Sequence, residues 1–224
     1  MIFKIDNQEI NWEPDRLLIA GYTSQDQEAL KKHIKELEEI GVQPPPRIPM
    51  IYDMSRKLLT NDGYIEVVRE ESSGEAEVVL LDIEGKWYMG VGSDHTDRRL
   101  ETVSVQKSKQ VCGKPVSREL WPLDRVKGHW DQIEMKSWVT DGDREILYQS
   151  GKLKDFMVPD DLLKVVKERG YSDTGLALFC GTFSLLSDGF IYGKSFRAEL
   201  YDPIHDQKIE LAYDINILTD AEEV

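Results

Sequence analysis

Glu75 and Glu77 stand two residues apart in the run Ser73-Gly74-Glu75-Ala76-Glu77-Val78-Val79-Leu80, and Asp94 closes a second apolar run, Trp87-Tyr88-Met89-Gly90-Val91-Gly92-Ser93-Asp94. In an extended strand, residues i and i+2 point to the same face. The two glutamates would then set their carboxylates side by side at the mouth of an otherwise apolar strand. Like charges that close repel unless a cation or a proton separates them. One reading is a divalent metal held by Glu75, Glu77 and Asp94. An all-oxygen set selects a hard cation, Mg2+, Mn2+ or Ca2+, over zinc. The other reading is an acidic strand end turned to solvent.

A second group with chemical potential is His33 and Glu36, three apart in Lys32-His33-Ile34-Lys35-Glu36-Leu37. On a helix this spacing brings the side chains together. A carboxylate beside an imidazole orients it and raises its basicity, as a water-activating general base requires. The same pair also fits a charged, solvated helix face. The segment Asp94-His95-Thr96-Asp97-Arg98-Arg99 packs five ionisable groups into six residues. His95 reads there as a hydrogen-bond partner of an acid rather than as a ligand. Lys107-Ser108-Lys109 adds two cations, which otherwise suit a solvated helix face. Tyr148-Gln149-Ser150-Gly151 ends a strand with an amide, and Cys180-Gly181-Thr182 interrupts an apolar strand with a glycine and a hydroxyl. Glycine inside a strand often marks close backbone approach to a ligand.

These groups need elements to hold them. Residues 1–11 alternate weakly and predict an edge hairpin, and residues 16–22 predict a short buried strand. Thr23, Ser24 and Asp26 offer caps for a helix over residues 25–40, with Leu30, Ile34 and Leu37 on its apolar face and Gly41 ending it. The prolines of residues 42–49 make a stiff connector. Further strands are predicted over 64–69, 76–83, 87–92, 132–139, 145–151, 176–183, 195–201 and 208–217. One helix is predicted from Pro159 to Gly170, and another over 97–110. Many strands with few helices imply an α+β, mainly β fold that closes as a roll. The expected organisation is residues 1–49 as a small N-terminal helix-containing segment and 50–224 as the β body, in one compact domain.

The chain has 42 acidic against 28 basic residues over 224 positions, a net charge of −14. That field argues against nucleic acid or an anionic membrane as partner and suits a cation site. The cysteines, Cys112 and Cys180, suggest no disulfide framework, which fits a reducing cytoplasm. No apolar stretch approaches the ~20 residues that span a bilayer.

Taken in order along the chain, these motifs resemble the fumarylacetoacetate hydrolase superfamily, and more narrowly its divergent DUF2848 branch. The superfamily's early Asn-Tyr-x-x-His-x-x-Glu segment is matched by Gly21-Tyr22 and His33-Ile34-Lys35-Glu36, with a longer Tyr–His interval. Its Glu-x-Glu and Asp-x-Thr-x-Arg motifs are matched by Glu75, Glu77 and Asp94-His95-Thr96-Asp97-Arg98. Lys107-Ser108, Gln149-Ser150-Gly151 and Cys180-Gly181-Thr182 follow in the family's order. Three positions depart from the pattern: Phe183 replaces the usual proline, Glu101 a glutamine and Tyr148 an arginine.

The resemblance implies an FAH-like mixed β-sandwich roll, a homodimer, and a metal site of Glu75, Glu77 and Asp94. It implies a small 2-oxo acid substrate, such as an acylpyruvate, cleaved at a C–C bond. His33 and Glu36 would form the water-activating pair, and Lys107 would stabilise the developing oxyanion. Arg98, Gln149, Gly181 and Thr182 would bind the substrate head. Loops such as residues 43–54 would read its tail. Decarboxylation, hydration or isomerisation on the same site, or metal-dependent dicarboxylate binding without turnover, are the alternatives.

Overall fold

In the computed structural model, which describes residues 1–25, 28, 30, 31, 34, 35, 38 and 44–221, the strands run in chain order. They are β1 (Ile2–Ile5), β2 (Gln8–Asn11), β3 (Arg16–Gly21), β4 (Met50–Met54), β5 (Leu59–Thr60), β6 (Tyr64–Val68), β7 (Ser72–Ser73), β8 (Ala76–Ile83) and β9 (Lys86–Ser93). There follow β10 (Thr96–Asp97), β11 (Lys114–Pro115), β12 (Trp121–Pro122), β13 (Glu134–Asp141), β14 (Arg144–Lys152), β15 (Leu176–Thr182), β16 (Ser195–Asp202) and β17 (Gln207–Leu218). Two sheets dominate. One has six strands in the order β12-β9-β8-β15-β3-β4, the other five in the order β14-β13-β16-β17-β6.

The uninterrupted apolar run at residues 78–81 forces the centre of the fold. A strand without polar alternation must be covered on both faces, and every residue of β8 is buried. Val78 and Leu80 pack with Leu18, Leu178 and, from the five-stranded sheet, Met135, Phe196 and Ala198. Their neighbours Val79 and Leu81 turn the other way, into a second cluster with Leu17, Ile19 and Phe179 that Phe3 and Ile5 of the β1–β2 hairpin cover. The five-stranded sheet alternates buried and half-buried residues along β16.

The hairpin joining β8 to β9 decides where the acids meet. Glu84 (φ 53°) and Gly85 (φ 80°) both adopt the left-handed conformation between the paired residues Ile83 and Lys86. A two-residue turn of this kind matches the strand twist and sets the register. Counting back, Glu77 pairs with Gly92 and Ala76 with Ser93. The next step brings Asp94 N to donate to Glu75 O at 3.0 Å.

Several elements differ from the sequence reading. The helix predicted over 97–110 is two helices, Arg98–Glu101 and Val105–Gln110. Ser104 adopts an extended conformation (φ −160°) and caps the second, so the axis restarts there. The stretch expected as a loop, 43–54, ends in β4, an edge strand antiparallel to β3 with Tyr52 and Met54 buried. Its alternation is hidden in sequence by the prolines before it. β3 lies between β15 and β4, so the N-terminal 1–49 segment contributes an interior strand to the larger sheet. In the predicted 25–40 helix, the described residues 28, 30, 31, 34, 35 and 38 are helical, and Leu30 is buried. No helix among the described residues is long and apolar enough to cross a membrane.

No atom crowds a Cβ built at Gly85, so a substitution there reports turn conformation alone. Gly85→Asn, which tolerates the left-handed region, is expected to keep nearly full stability in urea denaturation. Gly85→Val is expected to cost about 1–2 kcal/mol. Equal stability of the two variants would show that the turn does not hold the register.

Candidate metal centre

The β8–β9 register and the period of two converge on one point. Glu75, Glu77 and Asp94 each offer a carboxylate oxygen, and these oxygens lie within 4.8 Å of one another. Glu77 and Asp94 are buried, and Glu75 opens part of the site to solvent. Carboxylates this close and this dry need positive charge, and three cations surround them. Arg98 Nη2 lies 3.1 Å from Glu75 Oε1. Lys109 Nζ donates to Asp94 Oδ2 and stands 3.5 Å from Glu75 Oε2. Lys114 Nζ stands 3.3 Å from Asp94 Oδ1.

The electrostatics are uneven. Burial, reinforced by the charge of Asp94, pushes Glu77 well above the usual carboxylate range. Burial acts on Asp94 in the same sense, but Lys109 and Lys114 outweigh it and hold this carboxyl below its ordinary value. Lys109 stays firmly charged: burial opposes its charge, and Asp94 and Glu75 more than restore it. Asp94 Oδ1 is buried and has no partner beyond its 3.3 Å ion pair with Lys114. An acceptor in that state beside a carboxyl starved of compensation is the donor pattern a hard divalent cation satisfies. The residues present therefore fit Mg2+ or a cation of the same class.

The lysine that reaches the acids is Lys109. Lys107, expected there by resemblance, is on the exposed side of its helix. Two residues of helix turn a side chain through about 200°, so the two lysines face opposite ways. Lys114 has no counterpart in the sequence reading. Fully buried, its ammonium donates to the carbonyls of His95, Lys109 and Cys112, so it stitches the segment after β9 to the neighbouring helix and to β11. Burial lowers its pKa, with Asp94 opposing. No local pattern around Cys112-Gly113-Lys114 announces that role.

Arg98 is buried and committed on every side. Its Nε donates to Ser73 Oγ at 2.7 Å, its Nη1 pairs with Glu101 at 2.9 Å, and its guanidinium lies over the Phe190 ring. Glu101, which departs from the family pattern, is thus a partner of Arg98. His95 faces away from the acids. Its ring nitrogens contact Tyr213 Oη and Ser72 Oγ, both at 2.9 Å, and burial together with Lys114 and Arg98 lowers its pKa to about 3.

Gln149, Gly181 and Thr182 come together on the other side of β8. The Gln149 amide accepts from Ala76 N (2.9 Å) and Ser137 Oγ (2.8 Å) and donates to Thr182 Oγ1 and Phe183 O (both 2.7 Å). A primary amide has two donors and two acceptor positions, so Gln149 has none left for a ligand. It clamps Ala76, the residue between the two glutamates, rather than presenting itself to a substrate head. Thr182 Oγ1 donates to Ala76 O at 2.9 Å and completes the clamp. Gly181 (φ 105°) sits where the β15–β8 register breaks, and its N–H donates to Glu77 Oε2 at 2.8 Å. A Cβ there would fall 2.0 Å from Thr23 Oγ1. Tyr22, part of the early motif of the resemblance, and Tyr52, which the sequence reading does not single out, both sense the charges of the centre. Burial raises both, Tyr52 to about 12, and both feel the Lys109 charge. His33 and Glu36 lie outside the described residues.

Solved structures share this architecture. A 2-keto-3-deoxy-D-arabinonate dehydratase complexed with magnesium and 2,5-dioxopentanoate superposes with a TM-score of 0.66 at 17% identity, over 93% of this chain and 75% of that one. A protein from Oleispira antarctica provisionally named fumarylacetoacetate isomerase/hydrolase gives 0.65 at 12%, over 96% and 99%. Cg1458 gives 0.65 at 12%, over 92% and 78%. A search of curated proteins finds no match. The fold is the one these structures share. Residues 20–213 match the family described as protein of unknown function DUF2848, and the chain belongs to that family.

Removing Lys114 would leave Asp94 underneutralised and three carbonyls without their donor. Lys114→Met is expected to lower stability by about 3–5 kcal/mol in urea denaturation. A loss under about 1 kcal/mol would show that Lys109 alone balances Asp94.

Proposed function

We propose that this protein is a divalent-metal-dependent enzyme acting on a small 2-oxo acid, and that the reaction is hydrolytic cleavage of a C–C bond. The observation that carries the metal is the convergence of Glu75, Glu77 and Asp94 in a largely buried site, where Asp94 Oδ1 has no partner beyond its ion pair with Lys114. The substrate class is supported by the magnesium and 2,5-dioxopentanoate bound in the dehydratase of the same fold. A bound cation supplies Lewis-acid stabilisation of negative charge on substrate oxygens.

The chain's own groups divide the remaining work. Arg98 and Lys109 hold fixed positive charge beside the carboxylates, where an anionic substrate head would be attracted and turned. Gln149, Thr182 and the Gly181 amide keep β8 and Glu77 in place, which makes them positioning residues. His33, oriented by Glu36, would take the proton from the attacking water. The proposal includes the homodimer that the family resemblance implies.

A second reading, dehydration, is favoured by the activity named for the magnesium-bound relative. It removes a hydroxyl and a proton and needs no water nucleophile, so the two readings part at His33.

Three outcomes are expected. Oxalate, which chelates as a 2-oxo-acid enolate does, binds at one site per chain with Mg2+ and not with EDTA in calorimetric titration. Glu77→Gln folds but loses Mg2+ affinity by about 100-fold or more, and unchanged Mg2+ binding in this variant would refute the ligand set. His33→Ala keeps Mg2+-dependent oxalate binding and loses acylpyruvate hydrolysis by about 10²–10⁴-fold. Full acylpyruvate hydrolysis by His33→Ala would place the water-activating base elsewhere, whereas no acylpyruvate hydrolysis by the wild type would favour dehydration.

A further inference from the structure

A second cluster of ligating side chains lies away from the acids, and its donors are of a different kind. His129, Asp202 and His205 each offer one ligand atom, and these atoms lie within 4.8 Å of one another. They come from different parts of the chain. His129 is in the turn segment Lys127–Gln132, where its backbone leaves the helical region (φ −137°, ψ 31°). Asp202 ends β16, and His205 sits in the turn that leads to β17.

Asp202 is 1% exposed, and both its oxygens face imidazole nitrogens. His129 Nε2 lies 2.9 Å from Oδ1, and His205 Nδ1 lies 2.6 Å from Oδ2. The main-chain N–H of Ile204 also donates to Oδ1 at 2.9 Å, which fixes the carboxylate against its own turn. The two rings are 5.2 Å apart and tilted by 54°, so they converge on the acid without stacking. Hydrogen bonds from His205 and His129 hold Asp202 below its ordinary pKa against the effect of burial.

We propose that His129, Asp202 and His205 bind a transition-metal ion of the zinc class, with water completing a four-coordinate shell. Two imidazoles and one carboxylate are borderline donors that select Zn2+, Co2+, Ni2+ or Cu2+ over Mg2+. Metal–ligand bonds of about 2.0–2.2 Å in a tetrahedron place donor atoms about 3.3–3.6 Å apart. The distances of 2.9 Å from His129 to Oδ1 and 2.6 Å from His205 to Oδ2 need to open by about 0.4–1.0 Å to admit the ion. The His205 ring is 40% exposed, which gives it room to move and gives the fourth position access to water.

The ion would tie the 127–132 segment to the β16–β17 turn. This site is separate from the carboxylate centre. Asp202 lies four residues along β16 from Ala198, which pairs with Ser137 beside the Gln149 clamp. That separation is about 13 Å of strand. The inference does not rest on the proposed reaction.

The test is a Zn2+ titration of the metal-stripped full chain in excess Mg2+, with bound zinc counted after dialysis. One zinc per chain is expected in the wild type and in Glu77→Gln. His129→Asn and His205→Asn are each expected to weaken zinc binding by about 100-fold or more while Mg2+-dependent oxalate binding stays unchanged. Co2+ in place of zinc should show the intense visible absorption of a four-coordinate site, lost in the same variants. If His129→Asn does not fold, the exposed His205 decides alone. No zinc retained at micromolar concentration, or zinc retained in full by His205→Asn, would overturn the proposal and leave the trio as a hydrogen-bonded clip.

Discussion

Asp94 is a carboxylate with no exposure to water, held between the ammonium groups of Lys109 and Lys114. Burying one such charge unpaired would cost several kcal/mol, so everything nearby is arranged to prevent it. Lys109 arrives from the helix Val105–Gln110, whose start is set by the Ser104 cap. Lys114 arrives just after that helix and spends its protons on main-chain carbonyls as well. The helix, the segment after β9 and β11 are therefore fastened to one another through a single acid. The two other carboxylates share the remaining positive charge, and Glu77, the most buried of them after Asp94, receives least.

That imbalance explains how the site can be both stable and receptive. Here Glu77, raised by burial and by the charge of Asp94, leaves an unmet demand for cationic charge. The Gln149–Thr182 clamp and the Gly181 amide hold the backbone and one oxygen of Glu77 so that the acids cannot separate to relieve it. Preorganisation of this kind is bought with close packing, visible where Gly181 meets Thr23.

The carboxylate trio is legible in the sequence because it follows local rules. Two acids at i and i+2 share a strand face, and an acid at the end of the next apolar run comes opposite them in a hairpin. Most strands of the two sheets, β4 and β12 apart, are legible for the same reason, since continuous runs such as 78–81 and alternating runs such as 195–201 record their burial. What local rules do not carry is which of two lysines two residues apart faces inward. Lys107 and Lys109 are equivalent by type, and tertiary packing alone separates them. Lys114 and Tyr52 are hidden for a related reason: each reaches the site from an element, β11 or β4, too short or too close to prolines to announce itself. Gln149 is found by its place at a strand end, but its saturation by Ala76, Ser137, Thr182 and Phe183 depends on three other strands or their ends.

The hydrogen bond from Gly181 to Glu77 spans 104 residues of chain. It belongs to β15, which is inserted between β8 and β3 and completes the six-stranded sheet only when it arrives. At a synthesis rate of roughly 5–20 residues per second, Glu77 leaves the ribosome about 5–20 s before the amide that will fix it. During that interval the nascent chain holds β8 with an open edge and its acids unrestrained. The carboxylate centre is thus among the later features of the molecule to mature, although all three of its acids are made in the first half of the chain.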